Sequence, residues 1–113
     1  MLKQRRLAAE TVAEALFAAE KAIDEAIAST AALAGLMPTT RQEANLSALI
    51  GQDALMSAIN TMQALGVARE NIVVTHKHLT VAQHDIGLAA VSFGMGAEKP
   101  EAPPASGRLT VAA

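Results

Sequence analysis

His76, His78 and His84, with Asp85 beside the last, form the densest group of chemistry-bearing side chains in this 113-residue sequence. Metal sites on helices use histidines four apart, or a Glu three residues before a His, because those spacings bring ligands onto one face. No two of these histidines are four apart, and no Glu stands three before any of them. His76 and His84 lie two turns apart and point roughly 80° away from each other. The pattern predicts no metal and no cofactor.

Other chemistries fare no better. A phosphotransfer histidine on a helical bundle needs a Lys-Gly pair after it to make room for the phosphorylated ring. His78 is followed by Leu79 and Thr80. Acid–base catalysis needs two carboxylates converging in a pocket. Glu10 and Glu14 share a face, but it is the charged, solvated face of the first helix. Asp53 falls near the apolar side of its helix and is read as a cap or an outward-pointing residue. There is no glycine-rich phosphate loop and no nucleophile elbow. With no cysteine in the chain, thiolate chemistry and disulfides are excluded, which suits a cytoplasmic protein. The sequence therefore predicts a non-enzymatic protein with no catalytic residues.

Two short stretches resemble known motifs. Gly66-Val67-Ala68-Arg69 after Leu65, followed by Ile72, resembles the turn and the opening of a helix-turn-helix. That resemblance implies a DNA-binding regulator, with Arg69, Asn71, His76 and Lys77 available to DNA. It covers about twenty residues around Gly66–Lys77 and departs from the motif at Met62, where a small residue is usual. A groove binder also wants a basic face, and only Arg69 and Lys77 supply charge here, so nucleic acid is the alternative and not the expected partner. The last residues, Val111-Ala112-Ala113, resemble the degradation tags read by AAA+ unfoldases.

The elements that carry these residues are helical. Half of the residues are hydrophobic, many of them alanine, and Phe17 and Phe93 are the two aromatics. A net charge of −2 implies neither an acidic nor a basic partner. Lys3, Arg5 and Arg6 would suit the start of a signal peptide, but Glu10 and Glu14 interrupt the apolar region that should follow. No run of about 18 apolar residues exists, so no membrane span is expected.

From about Lys3 to Ala34, Ala9, Val12, Leu16, Ala19, Ile23, Ala26, Thr30 and Leu33 keep a three-four spacing, which predicts a long amphipathic helix. Gly35 and Pro38 read as its stop. Ala8, Ala15, Ala22 and Ser29 form a small-residue line along its edge, which would let a neighbouring helix approach closely. Phe17 projects from the charged face and is a candidate partner contact. Thr40 and Glu43 match a capping box, so a second helix is expected over 41–65, with Gly51 as a bend and Gly66 as the stop.

A third helix is expected over 69–93. Ile72, Leu79, Ile86 and Phe93 recur at intervals of seven, with Thr75, Ala82 and Ala89 between them. A second apolar line, Val74, Val81, Leu88 and Val91, carries Lys77 and His84. A helix with two apolar lines needs two partners. Val74, Lys77, Val81, His84, Asp85, Leu88 and Val91 are therefore the expected subunit interface. In a twofold register centred on Val81, Lys77 meets Asp85 of the second copy and Val74 meets Leu88.

The expectation is all-α: a single domain over 1–94, built as a three-helix antiparallel bundle and completed by dimerisation into a larger bundle, with a disordered tail over 95–113. The protein would act in the cytoplasm as a homo-oligomeric interaction or assembly protein, with room for a further protein partner and no membrane partner.

Overall fold

A computed structural model describes residues 2–88. These residues form two α-helices, α1 (Leu2–Glu43) and α2 (Gln52–Asp85), with no strand among them. The all-α expectation holds and the count of three helices does not. The expected tail, Val91 and Phe93 lie outside the described residues. Among the described residues no helix is long and apolar enough to cross a membrane.

Three expected breaks are absent, each for a local reason. Gly35 lies inside α1, where its cost relative to Ala is only about 1 kcal/mol. Pro38 is also inside α1. Proline removes one helical N–H, which would have bonded the carbonyl of Ala34. The next two residues tie the preceding turn together: Thr39 Oγ1 donates to the Gly35 carbonyl at 3.1 Å, and Thr40 Oγ1 to the Leu36 carbonyl at 2.7 Å. Thr40 and Glu43 thus lie in the last turns of α1 and do not cap a new helix. Gly66 lies within α2 and stops nothing.

Both helices end instead at the same six-residue motif. At the end of α1, Leu46 N–H donates to the Arg41 carbonyl at 3.1 Å and Asn45 N–H to the Gln42 carbonyl at 3.0 Å. Asn45 takes the left-handed conformation, with φ 56°. At the end of α2, Leu88 N–H donates to the Gln83 carbonyl and Gly87 N–H to the His84 carbonyl, with Gly87 at φ 83°. These are Schellman caps, which satisfy carbonyls that the helix itself cannot. In each, the side chain that opens the motif also closes it. Arg41 Nη1 donates to the Leu46 carbonyl at 2.8 Å, and Gln83 Nε2 donates to the Leu88 carbonyl.

The described residues group into two compact units. In one, residues 2–18 pack with residues 74–88. Its buried side chains are Ala9, Ala13, Leu16, Gln83 and Leu88. Leu88 clusters with Ala9, and Arg5 Nη1 donates to the Ile86 carbonyl at 3.4 Å.

The other unit is Ala19–Val73, a helical hairpin closed by the turn at 44–51. Its seam is mostly half-buried: Ile23, Ile27, Thr30, Ala34 and Met37 on α1, and Leu55, Met62, Leu65 and Ile72 on α2, around a buried Ala58. Arg69 Nε meets Asp24 Oδ1 at 2.7 Å, with both side chains 57% exposed. Exposed ion pairs contribute about 0.2–1 kcal/mol. Arg69→Ala is therefore expected to shift a urea midpoint only slightly. A double-mutant cycle with Asp24→Ala measures the coupling, and a value above about 2 kcal/mol would contradict this placement.

The seam corrects part of each expected line. On α1 the covered residues include 9, 13, 16, 19, 20, 23 and 26, so Ala19 and Ala26 stay in the line while Val12 and Leu33 fall outside at 42% and 54% exposure. On α2 they step through 72, 76, 79 and 83, so His76 and Gln83 stand where Thr75 and Ala82 were expected. Ala8, Ala15, Ala22 and Ser29 are all exposed, so among the described residues no helix packs on the small-residue line.

Candidate interaction surfaces

The residues singled out by their chemistry do not converge. His76 is half-buried on the seam, while His78 and His84 are exposed. Among the described residues no group of three His, Cys, Asp or Glu side chains is placed to hold a metal ion. Glu10 and Glu14 are exposed on α1, and Asp53 is exposed in the first turn of α2. There it faces the positive end of the helix dipole, which accounts for an acidic residue at that place.

The helix-turn-helix likeness fails on backbone grounds. Leu65, Gly66, Val67, Ala68 and Arg69 are continuous helix, so the turn that would project a recognition helix does not exist. Arg69 is engaged by Asp24.

Of the expected interface, Val74, Lys77, Val81, His84 and Asp85 are all exposed. Val74, Lys77, Val81 and His84 step three-four-three along α2, which places them on one stripe. Val74 is 44% exposed and Val81 58%. Leu88 does not belong with them. The helix ends at Asp85, the Gly87 cap turns the chain, and Leu88 is buried at 2% exposure against Ala9 of its own unit. The stripe therefore loses its expected apolar end, and the pairing of Val74 with Leu88 goes with it. Phe17, on α1, is exposed at 38%.

A second surface was not foreseen. Between Asn45 and Gly51, where turns are normally polar, the chain reads Leu46-Ser47-Ala48-Leu49-Ile50. Ser47 organises the turn: its Oγ accepts from Leu49 N–H at 3.2 Å, and its carbonyl accepts from Ile50 N–H at 3.0 Å. Gly51, at φ 80°, then releases the chain into α2. The result is an open hollow of about 400 Å³, lined chiefly by apolar residues, among them Met37, Pro38, Leu46, Ile50 and Leu55. Leu49 stands outside that hollow at 82% exposure. The signal for this turn was present in Ala44-Asn45-Leu46, since Asn tolerates the left-handed conformation and a following apolar residue suits a Schellman cap. The capping-box match at Thr40 and Glu43 concealed it.

Comparison with protein-family models, with curated proteins and with solved structures returns no match for this chain.

Proposed function

We propose that this chain is a non-enzymatic helical interaction protein that works as a homo-oligomer, through the α2 stripe of Val74, Lys77, Val81, His84 and Asp85. One observation carries the reading. Among the described residues, the buried apolar side chains are Ala9, Ala13, Leu16, Ala58 and Leu88, whereas sixteen large apolar side chains are exposed. Scattered exposed apolar residues are ordinary. Two paired helices, however, cover only one stripe each and leave the other faces to solvent or to another molecule. A second copy supplies matching helices without any further component. On the α2 stripe, Lys77 and Asp85 lie symmetrically about Val81, four residues to either side. An antiparallel twofold crossing there sets cation against anion, as an isologous contact requires. Phe17 is a candidate site for a further protein partner.

Val81→Lys tests the reading. Val81 is exposed in the single chain, so its replacement should leave helix content and thermal midpoint unchanged. Light scattering on the eluting protein should show the mass falling to that of one chain, because two cations would meet at the axis. A Val81→Lys protein that keeps the wild-type mass would remove this interface. Duplex DNA added at low salt should leave the wild-type mass unaltered.

A further inference from the structure

We propose that the tip of the hairpin unit is a second homotypic contact, in which Leu49 of one copy seats in the apolar hollow of another. This goes beyond the α2 stripe: all of its residues lie between Met37 and Leu55. Three observations favour a second copy as the occupant. First, the knob and the hollow are neighbours on one tip, yet Leu49 does not line its own hollow. A twofold contact must be self-complementary, and a protruding Leu49 beside an apolar recess meets that condition reciprocally.

Second, the charges around the recess match under the same operation. Arg41 lies on its α1 wall, and Gln52 on its α2 wall is followed by Asp53. One of the five N–H donors of Arg41 goes to the Leu46 carbonyl. A twofold brings Arg41 of one copy toward Asp53 of the other. Third, Arg41, Glu43 and Asp53 are the only ionisable residues from Met37 to Leu55, and the stretch has no lysine. A surface so poor in cations is unsuited to an anionic membrane, whereas a second tip presents a largely apolar lining and an Arg41–Asp53 pair that the twofold repeats, with Glu43 as the remaining charge.

The size of the contact sets its strength. Eleven residues line the hollow, and Leu49 adds one. Standard stable interfaces use roughly 20–30 residues a side. The tip contact is accordingly the weaker of the two, and it forms as protein concentration rises. With two independent twofold contacts on each chain, copies link beyond the dimer.

The experiment is sedimentation velocity over a hundredfold range of concentration. It is run on the full chain and again in the Val81→Lys background, so that the tip is read whether or not the α2 stripe is an interface. The expected result is association in both backgrounds. Leu49→Asp should raise the half-association concentration about tenfold or more, and Leu49→Met should preserve it. Leu49 is solvent-exposed, so neither variant is expected to alter folding, and unchanged circular dichroism checks this. Because the chain has no cysteine, a mixture of Leu49→Cys and Leu55→Cys chains reports the geometry. A short bismaleimide should join Leu49→Cys to Leu55→Cys.

Identical association in Leu49→Asp would overturn the proposal. So would cross-linking of Leu49→Cys chains only to one another, or a tip that binds phosphatidylcholine vesicles through Leu49 while the protein stays monomeric.

Discussion

Leu88→Ala is expected to cost about 2–5 kcal/mol, the usual range for removing a buried leucine side chain, and Leu88→Lys more. Among the described residues Leu88 is the large fully buried side chain, at 2% exposure, and the other buried residues of its unit are Ala9, Ala13, Leu16 and Gln83. Alanines cannot move in to fill the space, so the cavity would persist. The backbone of Leu88 is engaged as well: its N–H donates to the Gln83 carbonyl at 3.0 Å, and its own carbonyl accepts from Gln83 Nε2. Losing the side chain loosens the cap and with it the last turn of α2. Val81, only seven residues earlier and 58% exposed, is the control. Surface substitutions of that kind usually change stability by less than about 0.5 kcal/mol. Urea denaturation of the two alanine variants should therefore give well-separated midpoints. Were Leu88→Ala and Val81→Ala equally mild, Leu88 would not be part of this core. The same contrast keeps assembly apart from folding, because Leu88→Lys should act on the midpoint and Val81→Lys on the mass.

The helical class and one line of each seam were legible because they rest on apolar spacing. Ala9, Leu16, Ile23 and Thr30 on α1, and Ile72 and Leu79 on α2, were placed correctly and lie on the covered side. The companion line was misplaced by one residue on α2, at Thr75 and Ala82, whereas on α1 Ala19 and Ala26 are half-covered and only Val12 and Leu33 lie outside. The positions actually covered include Glu20, His76 and Gln83, whose polar ends hide them from any apolar count. Their stems are long enough to cover a thin seam, and Gln83 Nε2 donates to the Leu88 carbonyl. Val12 and Leu33 were chosen because they are apolar, and they turn out to face solvent.

Boundaries were the poorer part of the reading. Gly35, Pro38 and Gly66 carry strong local stop signals, but a helix packed along its length tolerates a loss of about 1 kcal/mol per glycine. Asn45 and Gly87 make the real stops, through positive φ and two cap bonds each. Of the residues expected at an interface, Val74, Lys77, Val81 and His84 are exposed on one stripe of α2, as their spacing predicts. Leu88 is not among them, because it satisfies the periodicity of a helix that has already ended. The apolar tip was obscured as well, since Leu46, Leu49 and Ile50 fall inside the span 41–65 where a second helix is expected.

Gly66 decides between two continuous helices and three short ones, because the two arrangements predict opposite signs for the same change. In a helix interior, alanine is better than glycine by about 1 kcal/mol. Apart from the neighbouring backbone of its own helix, no atom lies within 4 Å of where a Cβ on Gly66 would sit, so no clash offsets that gain. Gly66→Ala should therefore stabilise the protein by about 1 kcal/mol. Had Gly66 ended a helix in the left-handed conformation, the same change would cost about as much. Gly87, at φ 83°, supplies that opposite case within the molecule, and Gly87→Ala should lower stability. Gly66→Pro extends the test with a larger effect. Within α2 it removes the Gly66 N–H that would bond the Met62 carbonyl, and the ring presses on that carbonyl, at a cost of about 3 kcal/mol. Near its C-terminal end α1 accommodates Pro38, where two threonine hydroxyls bond the preceding carbonyls. Around Gly66 the following residues are Val67 and Ala68, which have no hydroxyl to do the same. Chemical denaturation of the alanine and proline variants should thus shift the midpoint in opposite directions from wild type. A destabilising Gly66→Ala, together with a tolerated Gly66→Pro, would restore a break at Gly66 and the three-helix arrangement with it.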